Sequence, residues 1–188
     1  MLLLYKINLL RSWLAAHPQA RFVLIALGVY AIWVLGYEQV LDPDGRLDQA
    51  LSTGVAATAA ALLQVAGVAA GTAAGAPTTV TMHGEPAVFV GNPCNGLVLY
   101  VLFAGFVLAY PGSSRRKAWF VPAGIGAIFL LNAGRVAALA LNHTYWFRTV
   151  EFNHHYTFTF IAYAAILGLW RLWAALGTPL LAHQTNES

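Results

Sequence analysis

Charged side chains are scarce in this sequence. Asp, Glu, Lys and Arg make up 9% of its 188 residues, and hydrophobic residues make up 59%, whereas about a quarter of the residues in a soluble domain are usually charged. This balance excludes an ordinary soluble domain and predicts an integral membrane protein. The net charge of +3 comes from a few basic residues at the ends of apolar segments, so no nucleic-acid partner is predicted.

Cysteine is nearly absent, since Cys94 is the only one in the chain, which excludes a disulfide within the chain. It lies in the stretch GNPCNGLVLY, residues 91–100, where a long apolar run begins. Asn92 fits a helix cap and Pro93 the first helical position, so Cys94 would occupy the first turn, where helix amide groups favour a thiolate. Two interpretations stay open: a reactive thiol, or a small packing residue near the membrane interface.

Four apolar runs are candidates to cross a bilayer: residues 22–37, 96–110, 119–141 and 156–177. The first two are short against the roughly 20 residues expected. A fifth run, 47–76, is rich in Ala, Gly and Thr and is predicted to be amphipathic. Its apolar face would contain Leu47, Leu51, Val55, Leu62 and Val65, with Asp48, Gln49, Ser52 and Thr53 elsewhere.

The basic residues predict the orientation. Residues 1–20 have no small-residue cleavage site and are expected to form a retained interfacial helix. Lys6, Arg11, Arg21 and the basic loop 113–117 belong on the cytoplasmic side, which requires an even number of crossings between them. Residues 47–71 would then lie on, or dip into, the outer membrane face. Both termini would be cytoplasmic, with 179–188 as a cytoplasmic tail.

Residues 77–93 alternate Thr and Val around the turn-forming segment 84–86, which predicts a small external hairpin. The sequence therefore predicts a single membrane domain, residues 1–188, of the all-α class. It would be an integral membrane helical bundle of about four transmembrane helices, with an external amphipathic helix and a small external β-hairpin spanning residues 47–93.

Polar side chains interrupt the apolar run 119–141. Asn132 and Arg135 are spaced i and i+3, so they share one helix face, and Asn142 continues this face toward the outer end. Because a charged residue inside a bilayer costs about 2.5 to 3.5 kcal/mol at the centre, such a stripe is expected to point into the bundle. The alternative is an arginine that snorkels to the surface or is paired for structural reasons.

His154 and His155 begin the last apolar helix on the outer side, at the end that also holds Cys94. A thiol, a guanidinium and an imidazole thus converge from three helices. This set suits acyl transfer: the cysteine attacks a carbonyl, a histidine exchanges protons, and Arg135 stabilises the oxyanion. Asn132 would orient Arg135, and Asn92 and Asn95 would act as supporting donors.

These motifs, Cys94-Asn95-Gly96, then Asn132-Ala133-Gly134-Arg135, then a histidine at the head of the next helix, resemble the exosortase and archaeosortase family. The resemblance covers roughly residues 47–173. Many members have Cys-Ser-Gly at the first motif, and many are larger, so this chain resembles a compact member. The doublet leaves open whether His154 or His155 takes the role of the family's histidine.

The resemblance implies a membrane cysteine protease or transpeptidase of the inner (cytoplasmic) membrane, with its active site facing outward and no metal or cofactor. Its partners would be the lipid bilayer and secreted proteins that end in a short sorting motif, a transmembrane helix and a basic tail. Cys94 would form a thioester at the motif, and an acceptor would resolve it.

Two other functions are compatible with the same residues. In a metal- or haem-binding protein, Cys94, His154, His155 and either His83 or His143 would be ligands, although no C-x-x-C or H-x-x-x-H spacing is present and Arg135 would repel a cation. In a transporter component, Arg135 and Asn132 would line an anion path, which leaves Cys94 unexplained.

Overall fold

The computed structural model describes residues 16–177, apart from the side chains of Pro18, His154 and His155. The predicted helix over residues 1–20 lies mostly outside this range, and the predicted tail 179–188 lies entirely outside it. The chain is mostly helical. Helix α1, Pro18–Ile32, continues as a π-helical segment, Trp33–Leu41, and a final turn, Asp42–Asp44.

Three more helices pack with α1 into a bundle: α3 (Leu97–Ala109), α4 (Ser114–Tyr145) and α5 (Phe158–Gly177). Helix α1 contacts α3, and α3, α4 and α5 contact one another. Large apolar side chains form the core of the bundle: Tyr100, Phe103, Val107, Phe120, Ile128, Ile166 and Trp173. Because this core is built from the long apolar runs, the sequence pattern already indicated where it would lie.

A separate unit, here called the cap, consists of α2 (Arg46–Val65) and the strands β1 (Ala70–Ala73), β2 (Ala76–Met82) and β3 (Glu85–Phe89). The strands form an antiparallel sheet in the order β1-β2-β3. The cap packs against the C-terminal half of α4. The predicted two-stranded hairpin is thus a three-stranded sheet, because the Ala-Gly-Thr segment of β1 also pairs with β2.

The buried face of α2 also differs from the prediction. Asp48 and Ser52 are buried, whereas Leu62 and Val65 are exposed. Small residues line the face that contacts the sheet and α4: Ala56, Ala59 and Ala60. Small side chains allow close approach but carry a weak hydrophobic signal, so the periodicity of the larger residues indicated the buried face correctly at Val55 and wrongly at Leu62 and Val65.

Three helical stretches are, by length and composition, able to cross a membrane within the described part of the chain: Gln19–Asp44, Ser114–Tyr145 and Phe158–Leu176. They correspond to three of the four predicted spanning segments, and the protein is a multi-pass membrane protein. The fourth predicted segment corresponds to α3, which is a shorter apolar helix. Helix α2 is not among the spanning candidates.

One end of the bundle is marked by basic side chains and is called the basic end. The Lys117 ammonium donates to the carbonyl of Leu108 at the end of α3, at 2.7 Å. The Arg116 guanidinium donates to the carbonyl of Leu176 at the end of α5, also at 2.7 Å. The last turns of α3 and α5 and the first turn of α4 therefore lie at one level.

The helices of the bundle differ in length. Helix α4 has 32 residues, about 48 Å at about 1.5 Å per residue, which exceeds a hydrocarbon core of about 30 Å. Helix α3 has 13 residues and extends only about 20 Å from the basic end. Cys94 precedes α3 and therefore lies at the end of that helix opposite the basic end, where the cap packs.

Candidate active site

Cys94 ends a short 3₁₀ turn, Asn92–Cys94, that comes before α3 rather than within it. Its amide donates to the carbonyl of Gly91 at 2.9 Å, and its side chain is half-buried against the apolar core of the cap. Asn92, which was predicted to cap the helix N-terminus, instead donates from its side chain to Asp42, at 3.2 Å. The prediction that Cys94 occupies the first helical turn is therefore wrong.

Asn95 provides the actual start of α3. Its side-chain oxygen accepts the amide of Leu97 at 2.9 Å, and its own carbonyl accepts the Tyr100 hydroxyl at 3.2 Å. The next residue, Gly96, has a φ of 88°, where a side chain is strained. A Cβ at Gly96 would lie 2.8 Å from the Tyr100 hydroxyl oxygen and 3.3 Å from Asn132 Nδ2. Both the backbone conformation and the lack of space for a Cβ therefore require glycine at position 96, directly after Cys94 and Asn95.

A buried carboxyl group, that of Asp48, binds the side chain of Asn95. Asp48 on α2 is 1% exposed. It accepts a hydrogen bond from Asn95 Nδ2 at 2.5 Å and bonds from the Tyr37 hydroxyl at 3.0 and 3.1 Å to its two oxygens. Asn95 itself is fully buried. The network therefore joins the π-helical end of α1, the cap and the turn that bears Cys94.

Replacing Asp48 should destabilise the protein strongly. Asp48→Ala leaves the buried Asn95 amide and the half-buried Tyr37 hydroxyl without their acceptor; because a fully buried donor costs about 1 to 3 kcal/mol and a half-buried one less, we expect a loss of about 2 to 4 kcal/mol. Asp48→Asn should lose less, because its amide oxygen can still accept one bond. The measurement is equilibrium unfolding of the purified protein in mixed micelles.

Asp44→Ala is the matched control for Asp48. The side chain of Asp44 is 48% exposed and lies 3.5 Å from an exposed Arg46, so its loss should change stability by no more than about 0.5 kcal/mol. Equal unfolding curves for the Asp48→Ala and Asp44→Ala proteins would show that the buried network does not hold the cap to the bundle.

Asn132 connects the cysteine turn to Arg135. This residue is 3% exposed. Its Nδ2 donates to the carbonyl of Cys94 at 2.8 Å, and its Oδ1 accepts from Arg135 Nη1 at 3.5 Å. The Arg135 Nε is buried and has no hydrogen-bond partner within the described part of the chain. Asn132 thus bonds both to the backbone of Cys94 and to the guanidinium of Arg135, which lies one turn further along α4.

A cavity of about 320 Å³ opens beside Arg135 between α3, α4 and α5. Its polar lining consists of Asn132 and Arg135, and its apolar walls come from all three helices. The wall from α5 includes Phe158 and Ala162. A cation and an amide donor therefore face a space that is otherwise apolar and lies next to the cysteine turn.

The backbone of His154 and His155 belongs to a π-helical turn, Asn153–Thr157, that leads directly into α5; their side chains lie outside the described parts. Asn153 Nδ2 donates to Asn142 Oδ1 at 3.0 Å, which ties this turn to the end of α4. Phe158, the first residue after this turn, lines the cavity beside Arg135. The histidine turn therefore adjoins the same cavity.

The other histidines named from the sequence lie elsewhere. His83 is in the turn between β2 and β3, and its Nε2 is 3.3 Å from the Tyr145 hydroxyl. The ring of His143 packs edge-on against Phe147. Within residues 16–177, leaving aside the side chains of His154 and His155, no three His, Cys, Asp or Glu side chains are grouped so that they could hold a metal ion.

Sequence reasoning missed three residues that position the site: Tyr37, Asp48 and Asn153. The sequence pattern places Asp48 off the apolar face of its helix, yet it shares a helical face with Ser52, Val55 and Ala59 at intervals of three or four. This pattern with small residues was a usable signal. Tyr37 and Asn153 are brought into place by π-helical segments, which have no sequence signature of comparable strength.

The fold and these contacts define a multi-pass membrane protein in which Arg135 and Asn132 line a cavity between three helices, next to the turn that bears Cys94 and to the histidine turn. The profile of the family described as Transmembrane exosortase matches residues 3–170, and the chain belongs to this family. It is a family of membrane cysteine peptidases and transpeptidases that act on secreted proteins. The predicted family is confirmed. No curated protein and no solved structure matches the chain.

Proposed function

We propose that this exosortase cleaves a C-terminal sorting signal of secreted proteins through a thioester on Cys94 and transfers the acyl group to an acceptor. The observation that carries the proposal is the pair of hydrogen bonds made by Asn132, to the carbonyl of Cys94 and from Arg135. They connect the turn that bears the only thiol of the chain to the Arg135 guanidinium, whose Nε is buried and which lines a cavity of about 320 Å³.

In the first half of the reaction, the sulfur of Cys94 bonds to the carbonyl carbon of the substrate peptide. The thiol proton passes to the imidazole of His154 or His155, which acts as general base. The N–H groups of Arg135 stabilise the oxyanion. When the C–N bond breaks, the imidazolium gives its proton to the leaving amine, and the helix with its basic tail departs.

In the second half, an amine or another nucleophile attacks the thioester carbonyl. The imidazole takes the proton of the acceptor, the C–S bond breaks, and the Cys94 thiolate leaves and is reprotonated by the imidazolium. Asn95 and Asn92 act in support: Asn95 anchors the cysteine turn to Asp48, and Asn92 fixes its start to Asp42.

The proposed orientation has the basic end and both termini on the cytoplasmic side of the inner membrane and Cys94 in the outer leaflet. The support is the cluster of Arg115, Arg116 and Lys117 at the start of α4, because basic loops stay in the cytoplasm. In this orientation a nucleophile at the end of α3 opposite the basic end would reach a bond at the outer end of a substrate helix.

The proposal is tested with a sorting reporter, defined as a secreted domain followed by the end of a protein from the same genome that has a short shared motif, an apolar helix and an Arg-rich tail. Coexpression with this exosortase should shorten the reporter at the motif. Adding hydroxylamine to membranes should convert part of the product to a C-terminal hydroxamate, because hydroxylamine cleaves a thioester. Intact-mass measurement distinguishes hydroxamate from carboxylate.

A reporter with its motif on the cytoplasmic side is the matched control and should remain uncleaved. Cleavage of this inverted reporter would contradict the proposed orientation. A product that is a carboxylate at every hydroxylamine concentration would contradict the thioester.

A further inference from the structure

The cavity beside Arg135 has more apolar space than the chemistry on a peptide bond requires. Its volume of about 320 Å³ corresponds to roughly ten waters at about 30 Å³ each, yet most of its walls are hydrocarbon. These apolar side chains come from three helices: Leu99, Ile128, Leu130, Leu131, Phe158 and Ile161. Such a space favours an apolar occupant over water.

Arg135 adds a specific requirement to this occupant. Its Nε is buried and has no acceptor within the described residues, and a buried donor left unsatisfied is costly, more so when it is charged. A lipid tail offers no acceptor. A peptide residue offers an apolar side chain and a carbonyl oxygen on adjacent atoms, and so satisfies both the walls and the arginine.

The free space is next to two lining residues with minimal side chains, Gly134 on α4 and Ala162 on α5. A Cβ placed on Gly134 would meet no atom within 4 Å. The glycine is therefore not needed for packing at this point, and larger side chains at either position would grow into the cavity.

The cavity is also connected to the turn that bears Cys94 through one residue, Asn132. Asn132 lines it and at the same time donates to the carbonyl of Cys94 at 2.8 Å. A residue whose side chain filled the cavity would present its carbonyl near Arg135 and Asn132, beside the turn that bears Cys94.

We propose that this cavity is the binding subsite for a large apolar side chain on the substrate residue whose carbonyl Cys94 attacks, and that Gly134 and Ala162 set the size it accepts. The inference rests on the proposed function for the identity of the substrate. It names a specificity subsite and its size-determining residues.

The test uses alkylation of Cys94, which is unambiguous because the chain has no other cysteine. The probes are the chloromethyl ketones of N-acetylleucine, N-acetylphenylalanine and N-acetylglycine, added to the full-length protein in lipid nanodiscs and followed by intact mass. Because burial of a leucine or phenylalanine side chain is favourable, these two probes should react at least about tenfold faster than the glycine probe. All rates are divided by the rate with iodoacetamide to correct for accessibility of the thiol.

Gly134→Leu should fill the cavity and reduce the leucine-to-glycine ratio to about one. Ala162→Leu fills the same space from α5 and serves if the first variant does not fold. The matched control is Gly126→Leu, on the same helix, where an added Cβ also meets no atom within 4 Å and which does not line the cavity. It should keep the wild-type ratio.

A wild-type ratio near one, or a ratio that survives both filling variants, would overturn the subsite. Loss of a copurifying lipid from the Gly134→Leu protein in native mass spectrometry, with no probe preference in the wild type, would instead assign the cavity to lipid. The alkylation needs no transpeptidation, so a clear probe preference together with an unprocessed reporter would refute the proposed function and leave the subsite standing.

Discussion

A Cys94→Ala protein should insert and fold but leave the sorting reporter uncleaved. Without the thiol no acyl-enzyme can form, so we expect the rate to fall to that of membranes lacking the exosortase. Cys94→Ser keeps the shape of the side chain but supplies a much weaker nucleophile, and it should lose nearly all activity. The measurement is the fraction of shortened reporter after coexpression, with membrane yield measured in parallel.

His83→Ala is the matched control for Cys94→Ala. His83 lies in the turn between β2 and β3 and contacts Tyr145, so its loss should leave processing unchanged. If the Cys94→Ala protein shortens the reporter at the wild-type rate, the cysteine is a packing residue, and the acyl-transfer mechanism is excluded.

The membrane bundle was predictable because its signal is long-range and chemical. Runs of about 20 apolar residues have few alternatives to spanning helices, since a backbone in hydrocarbon must satisfy its own hydrogen bonds. The basic residues at 115–117 also marked one end, and in the structure they bond to the ends of α3 and α5. Composition and sparse charge therefore determine this part of the fold.

The cap was predicted in outline and wrong in detail. Strand β1 contains Ala, Gly and Thr, which have no strong strand signal together, and it becomes a strand by pairing with β2. The buried face of α2 was predicted only in part: Val55 is buried as expected, but Leu62 and Val65 are exposed, and the contacts to the sheet and α4 come largely from Ala56, Ala59 and Leu63. In both cases tertiary contacts outweighed local propensity.

The region around Cys94 illustrates where local rules stop. By local sequence rules, Asn92 followed by Pro93 and Cys94 fits a helix start as well as Asn95 does. In the structure, however, it is Asn95 that accepts an amide at the start of α3. Asn95 can bond to Asp48 and to Leu97 at once, and the positive φ of Gly96 permits that turn. The deciding partner lies 47 residues away, beyond the reach of any local motif.

Substitution of Arg135 should produce the second large effect. Arg135→Ala removes the proposed oxyanion donor, and loss of one such donor typically lowers kcat by about 100- to 1,000-fold. Arg135→Lys retains a charge but not the planar set of N–H groups, so we expect an intermediate loss. The rates are measured with the sorting reporter in nanodiscs, with kcat separated from KM, because an oxyanion role lowers kcat far more than it raises KM.

Arg148→Ala is the matched control for Arg135, since Arg148 is exposed in the turn after α4 and should be replaceable without loss of rate. Alkylation of Cys94 by iodoacetamide monitors whether each variant keeps its cysteine turn in place. Loss of an oxyanion donor should lower kcat about 100-fold or more. If the Arg135→Ala protein keeps a normal cysteine turn and more than about half of the wild-type kcat, well above the value expected without a donor, Arg135 serves only the packing of the bundle. A loss confined to KM would instead assign Arg135 to substrate binding, and the oxyanion would need another donor.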